Sequence, residues 1–129
     1  MSATSNGILL IDDDALVITS AKRLLLKKGF NVWCAESGSS AIKIYSENLH
    51  HIGLVLLDLS MPDMDSEEIF DNLLSINKES RVVLFSGNLR TDESERLFHK
   101  GAVGSLRKPF DMYELTDLLD RWLPTHDID

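Results

Sequence analysis

Four short, mainly apolar runs recur along the chain, at residues 8–11, 31–35, 54–57 and 81–85, and a fifth, weaker strand candidate covers 104–107. Each is followed by a longer segment in which apolar and polar residues mix. Continuous apolar runs of this length, bounded by polar residues, are typical of strands buried on both faces of a parallel sheet. The pattern therefore predicts five strands.

The segments between the runs have apolar residues at helical spacing and predict five helices. The first three cover residues 15–28, 37–48 and 66–75, and we expect Thr91 to cap the fourth and Asp111, with Glu114, to cap the fifth. The fourth helix has few apolar residues, mainly Leu97 and Phe98, so we expect it to be the least firmly packed. Five alternations of strand and helix predict an α/β fold, with a parallel sheet and helices on both of its faces.

Composition narrows the class of protein. The 129 residues carry 21 acids and 13 bases, a formal charge of −8, which repels nucleic acid. No apolar run approaches the roughly 20 residues of a membrane span, and the first residues lack the features of a secretory signal. The single cysteine, Cys34, excludes an internal disulfide and suits a reducing compartment. We expect a cytoplasmic domain that contacts neither membrane nor nucleic acid, with residues 1–6 flexible, 7–123 folded and 124–129 a tail or the start of a linker.

Polar residues that could take part in chemistry lie at the ends of the first, third, fourth and fifth predicted strands. They are Asp12 and Asp13, Asp58, Ser86 and Lys108. Because the carboxyl ends of parallel strands share one edge of the sheet, we expect these side chains to converge. Clustered carboxylates require a cation, and oxygen ligands favour a hard ion, Mg²⁺ before Ca²⁺. A carboxylate, a metal, an ammonium and a hydroxyl suit phosphoryl transfer, with Asp58 as the nucleophile.

Over residues 7–123 the chain resembles the receiver domains of two-component response regulators. The matching segments are Asp12-Asp13 after ILLI, Asp58 in LLDLSMPDMD, Ser86-Gly87 after RVVLF, and Lys108-Pro109-Phe110. The resemblance implies the flavodoxin-like (βα)5 fold with strand order 2-1-3-4-5. The LFSGN and KPF segments are most similar to receivers attached to hybrid histidine kinases.

The resemblance also implies a role for each matching residue. Asp58 would accept a phosphoryl group from a histidine kinase or phosphotransfer protein, and Ser86 and Lys108 would contact that group. Mg²⁺, or Mn²⁺, would be bound by Asp12, Asp13, Asp58 and the backbone carbonyl of Ser60. Ser60 and Asn88 match the two positions that tune phosphoryl lifetime, and Pro109 would follow a cis peptide bond. Such a domain catalyses its own phosphorylation and dephosphorylation but is not a multiple-turnover enzyme.

Two positions depart from the family pattern. Ser66 replaces the usual glycine, and we expect it to cap the third helix. Ser105 replaces the aromatic residue whose ring turns inward on phosphorylation. We therefore expect phosphorylation to change residues 87–97 more than the face formed by 105–122, and the domain to remain a monomer or a weak dimer.

A phosphatase is the alternative function. Asp12-Asp13-Asp14 after an apolar strand also resembles the nucleophile motif of haloacid-dehalogenase-type phosphatases. Against this alternative, the chain has no cap domain, lacks the acidic pair that follows the lysine in those enzymes, and leaves Asp58 without a role. No GxxxxGK[ST] or GxGxxG motif supports nucleotide binding.

Overall fold

The computed structural model describes residues 6–123, which form one parallel five-stranded sheet with five helices. The strands are β1 (Gly7–Ile11), β2 (Asn31–Ala35), β3 (Ile52–Asp58), β4 (Val82–Ser86) and β5 (Gly104–Arg107). The helices are α1 (Ala15–Lys27), α2 (Gly38–Glu47), α3 (Ser66–Ile76), α4 (Asp92–Lys100) and α5 (Met112–Trp122). The expectations for residues 1–5 and 124–129 lie outside the described residues.

The strand order is β2-β1-β3-β4-β5, and every neighbouring pair is parallel. This order confirms the predicted flavodoxin-like topology. Each connection from a strand through a helix to a parallel strand is right-handed. Because the chain crosses the sheet in one direction from β1 to β2 and in the other from β2 onward, the helices cover both faces. Each face accordingly has its own apolar core, one including Leu25, Phe85 and Leu115 and the other including Tyr45, Phe70 and Leu97.

Helix ends follow the predicted caps at α4 and α5. The Thr91 hydroxyl accepts from the backbone N–H of Ser94, and the Asp111 carboxylate accepts from that of Glu114; both form capping boxes. Asp14 caps α1 by accepting from Leu16 N–H. These contacts satisfy backbone donors that a helix leaves without partners at its start.

One local prediction about the helices was wrong. Ser66 does not cap α3: Asp65 occupies the cap position without a side-chain hydrogen bond, and Ser66 is the first residue of the helix. Of the two apolar residues singled out in α4, Leu97 is fully buried and Phe98 is 41% exposed. The apolar face of α4 is therefore narrow.

Candidate functional site

Strand register brings the predicted site residues to one edge of the sheet. Asp58 is the last residue of β3 and pairs with Phe85, and Ser86 is the last residue of β4 and pairs with Arg107. Asp12 follows β1 directly, and Lys108 follows β5. The sheet thus places at one edge side chains that are up to 96 positions apart in the chain.

Three carboxylates cluster at this edge. One oxygen from each of Asp12, Asp13 and Asp58 lies within 4.8 Å of the others. Asp12 is fully buried and Asp58 is 2% exposed, whereas Asp13 is exposed. The backbone N–H of Asp14 donates to Asp12 Oδ1 at 2.9 Å, so one oxygen of the buried Asp12 carboxylate already has a hydrogen-bond donor.

Lys108 bridges the two buried carboxylates. Its Nζ lies 2.5 Å from Asp12 Oδ2 and 3.1 Å from Asp58 Oδ1. The ammonium also lies 4.8 Å from the centre of the Phe85 ring, which packs against Phe110 at 5.6 Å. These aromatic walls limit the solvent around the ammonium, and the ring face adds a favourable cation–π interaction. The peptide bond between Lys108 and Pro109 is cis, as the resemblance implied.

Burial and charge act in opposite directions on the two central groups. Burial raises the pKa of Asp58 and the nearby Asp12 charge adds to the rise, while hydrogen bonds from Lys108 and Ser60 partly counter it. Burial by itself would lower the pKa of Lys108, but its bonds to Asp12 and Asp58 outweigh that effect and raise it. The ammonium is thus fixed in its charged form beside the carboxylates.

The donor set fits a hard divalent cation. Asp12, Asp13 and Asp58 offer carboxylate oxygens that are close enough to share one ion. Among the described residues no other group of three or more acids, histidines or cysteines has this proximity. Oxygen-only ligands with part of the site open to water are the setting in which Mg²⁺ is usually bound.

The predicted hydroxyl positions flank the cluster in different ways. Ser60 Oγ donates to Asp58 Oδ2 at 3.3 Å. Ser86 Oγ instead lies 3.2 Å from both the backbone N and the backbone O of Asn88, within its own loop. No hydrogen bond between Ser86 and Asp58 is found in the described part of the chain, so a contact with a group on Asp58 would require the Ser86 hydroxyl to leave its contacts with Asn88.

Ser105 lies outside the carboxylate cluster. It is exposed on β5 and lines an open groove of about 380 Å³ together with Leu89, Leu106 and Leu118. A serine side chain covers little apolar surface, so the groove beside it stays unfilled. The groove occupies the side of the sheet where the resemblance places an aromatic ring.

The position of Asp14 bears on the phosphatase alternative. Its carboxylate is exposed and caps α1, accepting from Leu16 N–H at 2.9 Å and Val17 N–H at 3.5 Å. It therefore cannot serve as the second acid of a nucleophile motif that begins at Asp12, while Asp58, without a role in that motif, lies at the centre of the cluster. The geometry does not favour a phosphatase.

Sequence reasoning missed two residues that shape the site. Phe85 forms the ring beneath Lys108, although the apolar run that contains it predicted only a strand residue. Asp63 accepts from the backbone N–H groups of Gly38 and Ser39 at 2.7 and 3.2 Å and so ties the β3–α3 loop to the start of α2. The signal for Asp63 was its place after Pro62 in a rigid loop, but nothing in the sequence named its partner.

The family model for the response regulator receiver domain matches residues 8–120. The chain belongs to this family. The match covers all five strands apart from Gly7, and it includes Asp12, Asp13, Asp58 and Lys108. Receivers are phosphoacceptor domains of two-component signalling and not classical enzymes, and the phosphatase alternative is not favoured.

Individual relatives and solved structures agree with this family assignment. The receiver is 34% identical to the transcriptional regulatory protein CrdR of Helicobacter pylori over 116 residues, which are 89% of this chain and 54% of CrdR. It is 29% identical to sporulation initiation phosphotransferase F of Bacillus subtilis over 117 residues, covering 91% of this chain and 93% of that protein. Among solved structures, a response regulator receiver domain protein from Clostridium thermocellum superposes with a TM-score of 0.84 at 27% identity, covering 91% of this chain and 93% of that one.

Receivers of this family bind Mg²⁺ at an acidic site, and the acidic cluster of this chain provides such a group. Within residues 6–123, none of the helices combines the length and the apolar character needed to cross a bilayer.

Proposed function

We propose that Asp58 of this receiver accepts a phosphoryl group from a phosphohistidine on a histidine kinase or phosphotransfer protein. The observation that carries the proposal is the arrangement of Asp58 between Lys108 Nζ at 3.1 Å and the Ser60 hydroxyl at 3.3 Å, beside Asp12 and Asp13. In the transfer, an Asp58 carboxylate oxygen attacks phosphorus, the bond from phosphorus to the donor nitrogen breaks, and an acyl phosphate forms. The electron pair of the broken bond returns to the donor imidazole.

The chain's own residues have distinct parts in this step. Asp12, Asp13, Asp58 and the Ser60 carbonyl are the residues that would hold Mg²⁺, which when bound offsets the negative charge of the phosphoryl oxygens. Lys108 orients the Asp58 carboxylate through the 3.1 Å contact and supplies a fixed positive charge next to the new phosphoryl group. Ser86 supplies a hydroxyl donor once its loop turns toward Asp58.

Loss of the phosphoryl group belongs to the same proposal. Hydrolysis of the acyl phosphate requires water to reach phosphorus in line with the Asp58 oxygen. By the family resemblance, Ser60 and Asn88 occupy the two positions that tune this reaction. In support, Ser60 Oγ donates to Asp58 Oδ2, and Asn88 N–H donates to Ser86 Oγ at the end of β4. The domain would thus catalyse its own dephosphorylation, at a rate that depends on these two residues.

The wider role follows from the Ser105 position. A receiver without a ring to move has a weak connection to the α4, β5 and α5 surface, on which ring movement would otherwise act. We therefore propose that this chain works as a cytoplasmic monomer or weak dimer in phosphoryl relay, as a phosphate sink or in feedback on a kinase, in the manner of a hybrid-kinase receiver. It would bind neither DNA nor membrane by itself, in keeping with its charge of −8.

Acetyl phosphate provides the test. Incubation with acetyl phosphate and Mg²⁺ should add the mass of one phosphoryl group to the intact protein, and chelation of the metal should prevent it. Asp58→Asn should abolish the addition, whereas Asp14→Asn, which alters only a helix cap, should leave it in place. Labelling that persists in Asp58→Asn would contradict the proposal, and multiple turnovers on p-nitrophenyl phosphate would favour a phosphatase.

A further inference from the structure

Ser66 connects α3 to α4. Its residue is 2% exposed, and its hydroxyl donates to the Glu93 carboxylate in the first turn of α4. A buried hydroxyl requires a partner, and a hydrogen bond to a charged acceptor contributes more than one between neutral groups. The residue that departs from the family's glycine therefore makes a cross-helix contact that glycine cannot make.

Ion pairs continue this contact along the same two helices. Arg96 Nε lies 3.2 Å from Glu67 Oε1, and Lys100 Nζ lies 2.9 Å from both Glu67 Oε2 and Asp71 Oδ1. Hydrogen bonds from Lys100 and then Arg96 lower the pKa of Glu67. These pairs are solvent-exposed, so each contributes little and only their combination with the buried hydroxyl matters. We call the set the α3–α4 latch; it consists of Ser66, Glu67, Asp71, Glu93, Arg96 and Lys100.

Apolar packing does little to fix α4 beside this latch. Leu97 is its fully buried apolar residue, and Phe98 is 41% exposed. A helix held mainly by polar contacts can exchange those contacts for water at low cost, whereas displacing a packed apolar face exposes surface to water. The position of α4 is thus sensitive to individual hydrogen bonds.

Hydrogen bonds within the loop after β4 link Ser86, at the site edge of the sheet, to the first turn of α4. Ser86 Oγ accepts from Asn88 N–H, and Asn88 Oδ1 accepts from Arg90 N–H at 3.0 Å. The Ser94 hydroxyl donates to Leu89 C=O at 2.7 Å and so ties this loop to the first turn of α4. Glu93 precedes Ser94 in that turn. A displacement of the Ser86 loop therefore moves Glu93 and acts on its bond to Ser66.

The Ser66–Glu93 bond belongs to the arrangement in which Ser86 is bonded to Asn88. A phosphoryl group on Asp58 that draws the Ser86 hydroxyl toward itself breaks the bonds to Asn88 and pulls on the first turn of α4. We propose that the α3–α4 latch opposes this movement and so sets how readily the receiver switches. This inference rests on the proposed function, since it concerns regulation of the same site. By linkage, a contact that stabilises only the unswitched arrangement weakens binding of any ligand that requires the switched one.

Beryllofluoride with Mg²⁺, which mimics a phosphoryl group on a carboxylate, is the probe. Its affinity is measured calorimetrically for the parent, Ser66→Ala and Glu93→Ala. Loss of a hydrogen bond to a charged group corresponds to about a tenfold change in the switching equilibrium, so Ser66→Ala should bind the probe about tenfold more tightly. Glu93→Ala should change the affinity in the same direction.

Glu95→Ala is the matched control. Glu95 lies in the same first turn and carries the same charge, but among the described residues it forms no ion pair with α3. Its substitution should leave the affinity close to that of the parent. In amide NMR spectra without beryllofluoride, the α4 resonances of Ser66→Ala should already lie partway toward their positions in the complex.

The outcomes separate the two proposals. Unchanged or weaker binding by Ser66→Ala and Glu93→Ala, with normal binding by the parent, would overturn the latch alone. Equal tightening by Glu95→Ala would also overturn it, because a general effect of charge would then explain the result. Failure of the parent to bind beryllofluoride would instead overturn the phosphoacceptor role of Asp58, and with it the regulation proposed for the latch.

Discussion

At the scale of single residues, the ionised form of Asp58 carries a cost in the folded protein. Burial raises the pKa of its carboxyl and the Asp12 charge adds to the rise, so the folded state disfavours the charge that phosphoryl transfer requires. Lys108 recovers part of the cost through its contacts of 2.5 and 3.1 Å with the two carboxylates. We therefore expect the ionised Asp58 to lower the stability of the metal-free domain, a cost that functional sites commonly carry.

Neutralising the cluster should therefore stabilise the domain in the absence of metal. We expect Asp58→Asn to raise the melting temperature by a few degrees, the shift that about 1 kcal/mol gives in a domain of this size. Asp13→Asn should act in the same direction. Mg²⁺ should stabilise the parent more than either variant, because it binds the folded carboxylate cluster. Thermal melts with and without Mg²⁺ measure both effects. A lower melting temperature for Asp13→Asn, with the Mg²⁺ effect intact, would show that the acids do not form one site.

At the scale of single elements, Leu97 is the apolar residue that α4 buries against the sheet. Leu97→Ala should destabilise the domain by about 2–5 kcal/mol, since it creates a cavity against the sheet, whereas Phe98→Ser should change stability little because Phe98 is 41% exposed. Denaturant titration of both variants tests the difference. Similar losses at the two positions would contradict the difference in burial between Leu97 and Phe98.

The Asp63 carboxylate holds the β3–α3 loop against the start of α2. Asp63 is exposed, and hydrogen bonds from the backbone of Gly38, and then Ser39, lower its pKa. Because the folded pKa lies below the unfolded one, its stabilisation is fully present above the unfolded value of about 3.9 and is lost as pH falls through the folded value.

Asp63→Asn should accordingly lower the melting temperature at neutral pH. The gap, which is the difference in melting temperature from the parent, should close as the pH is lowered through the acid range. Melting curves at a series of pH values measure it. Asp65→Asn is the control, because Asp65 occupies the cap of α3 without a side-chain hydrogen bond and should show a smaller gap. A constant gap across the pH range would mean that the Asp63 carboxylate does not make these bonds when ionised.

These elements also show what the sequence could and could not predict. The alternation of strand and helix patterns predicted all five strands. Because parallel strands end at one edge of the sheet, it also predicted that Asp12, Asp58 and Lys108 converge. The family resemblance predicted the strand order. Ser66 was wrongly expected to cap α3, because its partner Glu93 is 27 positions away and no local pattern connects the two. Asp63 was missed for the same reason. The few apolar residues of α4 did not indicate which of Leu97 and Phe98 would be buried, because that depends on how the helix is rotated against the sheet.

At the scale of the whole molecule, the absence of an aromatic ring at Ser105 predicts which part of the domain changes conformation on phosphorylation. Amide NMR shifts on adding beryllofluoride and Mg²⁺ should be larger across residues 87–97 than across 115–122, because Ser105 has no ring to fill the groove beside Leu118. Ser105→Phe should increase the shifts in the 115–122 segment. Large shifts there in the parent, or a tight dimer that depends on beryllofluoride in sedimentation, would contradict this expectation.

The proposed function depends on Asp58 being the carboxylate that carries the phosphoryl group. Borohydride reduces an acyl phosphate to an alcohol, so treatment of the phosphorylated protein converts the modified aspartate to homoserine, and peptide mass spectrometry then locates it. This assignment predicts homoserine at position 58 and unmodified aspartates at 12, 13 and 14. Homoserine at position 12, with position 58 unchanged, would contradict it.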